Sequence, residues 1–375
     1  MAGIYIHIPF CRKACHYCDF HFSTTLNLVD EVVEAIIVEA ERMKSYADWP
    51  IETIYFGGGT PSLLSNVQLQ KIIEVLYQHY HIKKHVEFTI EANPDDLTED
   101  KISFYANVGI NRMSIGTQSF SDKILTYLNR SHSAAQTTKA VELCHQYGIT
   151  NLSLDLIYGI PGQSANDWQQ ELAQIIALTP THISCYALTI EPNTVFGNWS
   201  RKGKLVKVKD EVVESNYLRM VDFFKQNGYE HYEVSNFAKP GFISKHNSAY
   251  WQQTSYLGLG PGAHSFNGLS RHFNVTSNPK YIKKIKEHEN TFATEELTKN
   301  ELVTEYILTR VRTYWGLDFS EMSKLFNFKL TEHQLSFIYN LVANNLASFD
   351  NNKLFLNSRG FFISDTIVIE LIPQV

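Results

Sequence analysis

The chain has 375 residues, 44% of them hydrophobic and 19% charged, a composition that excludes a mostly disordered or collagen-like protein. Its formal net charge is −6, so no overall positive field marks nucleic acid as a partner. The number of cysteines is odd, at five, which argues against a secreted disulfide framework. We predict a cytoplasmic protein with no removable leader, and no apolar run reaches the roughly 18–20 residues of a membrane span.

The first half of the chain alternates strand and helix patterns. Apolar residues at three- and four-residue steps predict helices over 29–43, 67–80, 134–147 and 165–178. Short apolar, β-branched runs predict six strands, at 3–8, 53–56, 86–90, 112–116, 151–157 and 182–188. Six strand-then-helix units predict an α/β fold with a parallel sheet and crossover helices, short of the eight units of a closed barrel.

The alternation weakens after about residue 190. Residues 191–295 carry turns and aromatic clusters and are expected to extend the core of 1–190, so that one domain covers 1–295. Residues 296–375 predict a small, mainly helical, winged-helix-like domain. Its predicted elements are helices at 299–312, 319–326, 331–346 and 364–372 and a strand at 353–356. The basic stretches at 201–209 and 280–286 are expected to be solvated faces, with an anionic ligand or a membrane surface as the alternative.

Polar or glycine residues directly follow an apolar run in four of the predicted strands. These residues are Gly57-Gly58-Gly59-Thr60-Pro61, Glu91-Ala92-Asn93-Pro94, Thr117-Gln118-Ser119, and Asp155 after the run 152–154. The carboxyl ends of parallel strands form the face on which α/β proteins place their active sites. The sequence therefore predicts a shared site at this edge of the sheet.

Three cysteines form the sharpest chemical signal. Cys11, Cys15 and Cys18 are spaced as Cys-X3-Cys-X2-Cys, and thiolates are the soft ligands that suit iron–sulfur clusters or zinc. Three thiolates on one loop can hold three irons of a [4Fe–4S] cube and leave the fourth iron open to a ligand. A zinc site completed by His16 or His21 is the alternative.

This motif, directly after a first strand, resembles the cluster motif of radical S-adenosylmethionine (SAM) proteins, and Tyr17 before the third cysteine fits it. The glycine run after the second strand resembles the superfamily's SAM-binding motif, where exposed backbone meets the ligand. The resemblance implies a partial (β/α)6 barrel with a sheet extension. The cofactor contacts implied by matching motifs are Tyr5, Tyr17, Gly58, Gly59, Thr60, Glu91, Gln118, Arg130 and Asp155.

A narrower resemblance covers essentially the whole chain. The segments 6–11 and 155–161 are similar to the oxygen-independent coproporphyrinogen oxidase branch. True oxidases carry Gly-Cys after the third cysteine and a longer segment before the cluster. Here Asp19-Phe20 follows, and ten residues precede Cys11. These features resemble the HemW haem chaperones instead, and imply a protein without oxidase activity.

The segment His246-Asn247-Ser248-Ala249-Tyr250-Trp251 matches the His-Asn-X-X-Tyr-Trp motif of the same chaperones. The resemblance implies that His246 ligates or attaches haem, since imidazole binds haem iron. We therefore predict a haem chaperone that uses a [4Fe–4S] cluster and SAM and passes haem to an unidentified acceptor protein. The alternatives are an oxygen-independent coproporphyrinogen III oxidase and a related haem-modifying radical enzyme. Peripheral membrane contact and a homodimer stay open, and no nucleic-acid partner is expected.

Overall fold

The computed structural model describes residues 2–373. Its core is a run of six parallel strands that pair in chain order. The strands are β1 (Ala2–Ile8), β2 (Ile51–Gly58), β3 (Ile82–Ala92), β4 (Arg112–Gln118), β5 (Asn151–Tyr158) and β6 (His182–Ala187). The helices between them are α1 (Val29–Arg42), α2 (Asn66–His79), α3 (Glu99–Asn107), α4 (Asp122–Tyr127), α5 (Ala134–Gln146) and α6 (Ala165–Ala177). The predicted six-unit α/β barrel is confirmed.

Alternation along each strand separates the core from the barrel interior. Ile4, Ile6 and Ile8 of β1 are at most 1% exposed and belong to the main hydrophobic cluster, together with the apolar face of α1. The residues between them, Tyr5 and His7, point to the other face, because successive side chains of a strand point to opposite sides. Helix starts are fixed locally, since Ser or Thr side chains form capping boxes at α2, α5 and α6.

The extension adds strands to both edges of the parallel sheet. On the β6 edge, β7 (Glu230–Glu233) and β8 (Asn236–Ala238) pair antiparallel. On the β1 edge, β9 (Tyr256–Leu259) pairs parallel with β1, and the antiparallel strands β10 (His264–Phe266), β11 (Ser270–Asn274) and β12 (Phe292–Glu296) follow. The complete sheet has twelve strands among the described residues. The helices of this part are α7 (Val195–Arg201), α8 (Asp210–Gln226), α9 (Lys245–Trp251) and α10 (Asn278–Lys286).

A buried carboxylate joins the extension to the barrel. Glu39 of α1 is 3% exposed and accepts hydrogen bonds from Gly260 N (2.7 Å), Tyr281 Oη (2.7 Å), Thr291 Oγ1 (2.7 Å) and Asn274 Nδ2 (2.9 Å). Burial raises the pKa of this carboxyl. Its donors all lie in the extension, so one side chain ties four separate segments to α1.

The last segment forms a separate three-stranded sheet with helices around it. The helices are α11 (Lys299–Arg310), α12 (Phe319–Phe326), α13 (Glu332–Ala343), α14 (Ser358–Phe362) and α15 (Ser364–Leu371). The strands are β13 (Leu317–Asp318), β14 (Ala347–Asp350) and β15 (Lys353–Leu356), in the order β13-β15-β14. The predicted winged-helix-like arrangement is confirmed, and α11 and α14 contact α9 and α8 of the extension.

The basic stretch 280–286 lies on α10, where three lysines pair with glutamates: Lys286 with Glu31 (2.7 Å), Lys284 with Glu289 (3.0 Å) and Lys283 with Glu287 (3.9 Å). These pairs are largely exposed and contribute little to stability. Within residues 2–373 no helix combines the length and apolarity needed to cross a membrane.

Candidate functional site

The three motif cysteines lie on the loop between β1 and α1, at the carboxyl end of the strands. This loop folds back on itself, because Cys11 N donates to Ser23 O (3.0 Å) and Ser23 N donates to Pro9 O (2.8 Å). The opening of the barrel at the carboxyl ends of the strands is called the barrel mouth here. The Asn129 side chain, which follows α4, holds the loop across this mouth, because its Nδ2 donates to Ala14 O (2.7 Å). The loop is therefore fixed at its ends and at its middle.

The cysteines are half-buried, unpaired thiols with polar partners. Thr60 Oγ1 lies 3.3 Å from Cys11 Sγ, and Arg130 Nη1 lies 3.5 Å from Cys15 Sγ. Burial raises the pKa of Cys11 to about 11 and raises that of Cys18. Iron binding must therefore displace protons from these thiols. Three thiols on one loop, with two donors aimed at them, fit a cluster that takes three protein ligands.

The zinc alternative finds little support in the same region. His16 Nδ1 is hydrogen-bonded to Tyr127 O (2.9 Å), and its ring packs against Trp199. His21 Nε2 faces Asn278 Oδ1 at 3.3 Å. Among residues 2–373, no three His, Cys, Asp or Glu side chains are arranged to hold one metal ion. Thiolates that each bind a different iron of a cluster need not converge on one point, as the ligands of a single zinc ion must.

The glycine run lies directly beneath the cysteine loop. Gly59 N donates to Ile8 O at 2.9 Å. A Cβ on Gly59 would lie 2.7 Å from Phe10 O and 2.8 Å from Phe10 N, both backbone atoms next to Cys11. Gly58 has φ 107° and its Cβ would lie 2.5 Å from His7 Cε1. Glycine is required at both positions, at Gly59 because the chains approach closely and at Gly58 because of its φ as well.

Two carboxylates lie on the inner face of the barrel below the glycines. Glu91 accepts from Tyr55 Oη (2.7 Å) and Gly58 N (3.2 Å). Asp155 accepts from Ser114 Oγ at 3.3 Å. Burial is the main cause that raises the pKa of Glu91 to about 7 and that of Asp155 to about 6. Both carboxyl groups are poorly solvated, which favours their protonated forms, so a cationic ligand that reaches them would favour their ionised forms instead.

Arg130 occupies the other wall of the mouth. Its Nη2 donates to Asn93 Oδ1 (2.5 Å) and Gly116 O (2.9 Å), while its buried Nε has no partner within residues 2–373. Burial raises the pKa of the nearby Tyr17 hydroxyl. Gln118 adopts φ 63° at the end of β4. Gly116 makes room for both long side chains, since its Cβ would lie 2.9 Å from Gln118 Nε2 and 3.0 Å from Arg130 Nη2.

Tyr5 lies deeper on the inner face, and its hydroxyl is 3.0 Å from His7 Nδ1. Thr60, Glu91, Gln118, Arg130 and Asp155 thus lie at the carboxyl ends of β2 to β5 or in the loops beyond them, as the sequence predicts. The predictions missed Asn93, Gly116, Ser114 and Tyr55, which hold these residues in place. Asn93 carried a signal, because it stands in the polar run after β3.

His246 lies at the opposite end of the barrel from the cysteines. It is 2% exposed, and its Nδ1 is 2.8 Å from Thr53 Oγ1 while its Nε2 is 3.1 Å from Tyr250 Oη. The ring stacks on Tyr55 with centroids 4.8 Å apart. Backbone N–H groups of Lys245 and His246 donate to the Glu87 carboxylate. In this arrangement both ring nitrogens of His246 are used inside the protein.

Comparison with known proteins places the chain in a family. The profile of the radical SAM superfamily matches residues 5–175. The heme chaperone HemW of Bacillus subtilis is 33% identical over 371 residues, which cover 98% of each chain. The heme chaperone HemW of Lactococcus lactis is 32% identical, over 97% of this chain and 95% of the relative. The chain belongs to the HemW family. It carries the radical SAM fold, and that superfamily implies a [4Fe–4S] cluster and SAM.

The heme chaperone HemW of Escherichia coli is 38% identical over 265 residues, or 70% of this chain and 69% of the relative. Among solved structures, the coproporphyrinogen III oxidase HemN from Escherichia coli, described as a radical SAM enzyme, superposes with a TM-score of 0.85. That match covers 98% of this chain and 89% of the oxidase at 21% identity. It confirms the fold and says nothing about shared activity, so the oxidase alternative is not favoured over the HemW assignment.

Proposed function

We propose that this protein is a haem chaperone that binds haem and transfers it to an acceptor protein. The observation that carries the proposal is its similarity to HemW proteins over nearly its whole length. Asp19 and Phe20 after the third cysteine and the segment 246–251 agree with it. The acceptor, a homodimer, a membrane contact, the cytoplasmic location and the domain boundaries remain predictions.

The residues at the barrel mouth fit the expected cofactors. Cys11, Cys15 and Cys18 would hold a [4Fe–4S] cluster, which supplies an open iron and an electron when bound. SAM would lie over Gly58 and Gly59, where the chain exposes backbone without side chains. Glu91 and Asp155 would receive its cationic and hydroxyl groups, and Arg130 would meet its carboxylate. The unpartnered Nε of Arg130 is a donor available for that carboxylate.

SAM affinity should rise with pH. The pKa of Glu91 is raised to about 7, so the carboxyl is mostly protonated at pH 6 and mostly ionised above pH 7. A cation binds the ionised form, and we expect affinity to increase about fivefold to tenfold between about pH 6 and about pH 7.5. That range lies below the usual pKa of an α-amino group. Calorimetric titration of the reconstituted protein with SAM at several pH values measures this change in affinity.

Glu91→Gln is the variant that tests this assignment. It keeps the shape of the side chain and removes its titration, so the pH dependence should largely disappear and affinity at about pH 7.5 should fall. Glu87→Gln is the control, because Glu87 accepts from the backbone of Lys245 and His246 at the other end of the strand. A pH profile unchanged in Glu91→Gln would remove this residue from the SAM site.

Haem binding is tested by an anaerobic titration of the cluster-reconstituted protein, followed at the Soret band. We expect saturable, stoichiometric binding. For His246 to ligate haem, one of its ring nitrogens must first lose its hydrogen bond to Tyr250 Oη or to Thr53 Oγ1. Weaker binding in His246→Ala supports that assignment, and unchanged binding moves the ligand elsewhere. Absence of haem binding by the wild-type protein would contradict the chaperone proposal.

A further inference from the structure

A buried hydrogen-bond chain crosses the inner face of the barrel and ends at Asp155. Ser153 of β5 is registered with His182 of β6, and Asp155 is registered with Ser184. Residues two apart on a strand share a face, so all four side chains lie on the inner face. The first two and Ser184 are at most 3% exposed, whereas Asp155 is only half-buried. Asp155 is therefore the member that a ligand at the barrel mouth can contact.

Each side chain in this arrangement is hydrogen-bonded to the next. Ser153 Oγ lies 2.7 Å from His182 Nδ1 and 3.3 Å from Ser184 Oγ. A hydrogen bond from the Ser184 hydroxyl lowers the pKa of the Asp155 carboxyl. At the other end, His182 Nε2 lies 2.7 Å from the hydroxyl of Tyr232 on β7, a fully buried residue. The hydrogen-bond chain therefore runs through Tyr232, His182, Ser153, Ser184 and Asp155.

The direction of donation follows from the protonation states of two residues. Burial raises the pKa of Tyr232 well above its ordinary value and lowers that of His182 well below its own. The tyrosine hydroxyl thus keeps its proton, and its partner among residues 2–373 is His182 Nε2, which must accept it. A neutral imidazole carries a single proton, so Nδ1 donates to Ser153. The Ser153 proton is then directed to Ser184, and the Ser184 proton to Asp155.

The tyrosine that begins the hydrogen-bond chain is held from two sides. Within the sheet, β7 pairs with β8. On its other edge, the backbone of Tyr232 and Glu233 meets the segment that follows α11, because Tyr314 N donates to Tyr232 O (2.9 Å) and Glu233 forms an antiparallel bridge with Thr313. Backbone pairing on both edges fixes the position from which the Tyr232 hydroxyl donates.

We infer that this hydrogen-bond chain helps to bind SAM indirectly, because it directs a hydroxyl proton onto Asp155 and so keeps the carboxylate in the ionised form that receives the ligand. Its positioning residues are Tyr232, His182, Ser153 and Ser184. The inference rests on the proposed role of Asp155 in SAM binding and deepens it. A hydrogen bond to a carboxylate favours its charged form, and each bond in a hydrogen-bond chain polarises the next.

The other titratable groups around Asp155 lie on β2 to β4 and β6 and in the loop after α4. Arg112 and Arg130 lower the pKa of Asp155, while burial raises it to about 6. Asp155 in turn raises the pKa of Tyr55, Glu91, Cys185 and Tyr186. Each of these groups is unchanged in the variants below, so a difference from the wild type at the same pH reports on the hydrogen-bond chain.

The test is SAM affinity, measured by calorimetric titration of the reconstituted full-length protein at about pH 6 and about pH 8. Ser184→Ala removes the last donor, and we expect the proton affinity of Asp155 to rise roughly tenfold. With the pKa of Asp155 at about 6 in the wild type, its ionised fraction then falls about fivefold at pH 6 and hardly changes at pH 8. SAM affinity should fall in the same proportion. A purely structural defect would weaken binding at both pH values.

Tyr232→Phe should show the same pattern in weaker form, because it removes the first donor. Tyr229→Phe is the matched control, since Tyr229 is also buried and its hydroxyl donates to Pro180 O, outside the hydrogen-bond chain. Both variants lose one buried hydrogen bond, so their melting temperatures should fall similarly, but Tyr229→Phe should bind SAM as the wild type does. Ser153→Ala replaces Tyr232→Phe if that variant does not fold.

Asp155→Asn supplies a second readout, because it removes the titrating group. In that background Ser184→Ala should cause no further loss that depends on pH. Unchanged affinity in Ser184→Ala, or an equal loss at both pH values, would overturn the inference and leave the role of Asp155 in SAM binding intact. Wild-type affinity in Asp155→Asn alone would overturn both.

Discussion

Replacing any one of Cys11, Cys15 and Cys18 with serine should abolish the visible absorbance of the reconstituted iron–sulfur cluster. The three thiols are the ligands that one loop supplies, and the fourth iron has no protein ligand in this proposal. A serine hydroxyl is a hard, weakly acidic group that does not replace a thiolate on iron. Iron and sulfide analysis beside the absorbance spectrum measures the loss, which we expect to be nearly complete.

Cys144→Ala is the control for this series. Cys144 is fully buried in the core, with its thiol 3.5 Å from Met113 Sδ. Its replacement should lower the free energy of unfolding modestly and leave the cluster in place. Retention of a full cluster in all three serine variants would refute the assignment of these cysteines as ligands. Loss of the cluster in only one of the three serine variants would show that the other two cysteines are not required as ligands.

Gly59→Val should cost the protein both its cluster and its affinity for SAM. The first atom of any side chain at this position would lie 2.7–2.8 Å from the backbone of Ile8 and Phe10. Backbone cannot move aside as a flexible side chain can, so the loop that begins at Cys11 must shift. Gly59→Ala should show the same defect in weaker form. Cluster content and SAM binding, measured on the same samples, follow both effects.

Gly148→Ala separates this steric effect from the general cost of replacing a glycine. Gly148 has φ 80° and nothing within 4 Å of the position its Cβ would take. Alanine there is strained and should lower stability by about 1 kcal/mol, yet the cluster should form normally. Equal cluster content in Gly59→Val and Gly148→Ala would contradict the steric explanation.

The location of the site was predictable, because a parallel sheet brings the carboxyl ends of its strands to one edge. Apolar runs followed by Gly57, Glu91, Gln118 and Asp155 were enough to predict a shared site. The structure extends the strands through these four residues and places them in the carboxyl-terminal halves of β2 to β5. The local partners were not predictable, because they depend on contacts distant in sequence. Arg130 shows this, since its guanidinium is held by Asn93 and by the Gly116 carbonyl.

For the extension, the sequence predicts additional sheet but does not locate its individual strands. Its strands have three to five residues each, too short for alternation to show. The surroundings of His246 were equally hidden. The motif 246–251 implies a haem ligand at His246 but says nothing of its burial, which comes from Thr53 and Tyr55, nearly two hundred residues earlier. Periodicity in a sequence reports on residues that are close together along the chain. His246 is buried by residues that are distant in sequence.

The parallel pairing of β1 with β9 also sets the order in which the protein becomes competent. β1 is synthesised first. Its outer edge pairs with β9, which begins only at Tyr256 in the chain of 375 residues. At roughly 5–20 residues per second, a ribosome takes roughly 12–50 s to add the residues between Tyr5 and Tyr256. During that interval one edge of β1 has no strand beside it and is open to wrong partners. The cysteine loop therefore leaves the ribosome long before β9, the strand that completes the sheet beside β1.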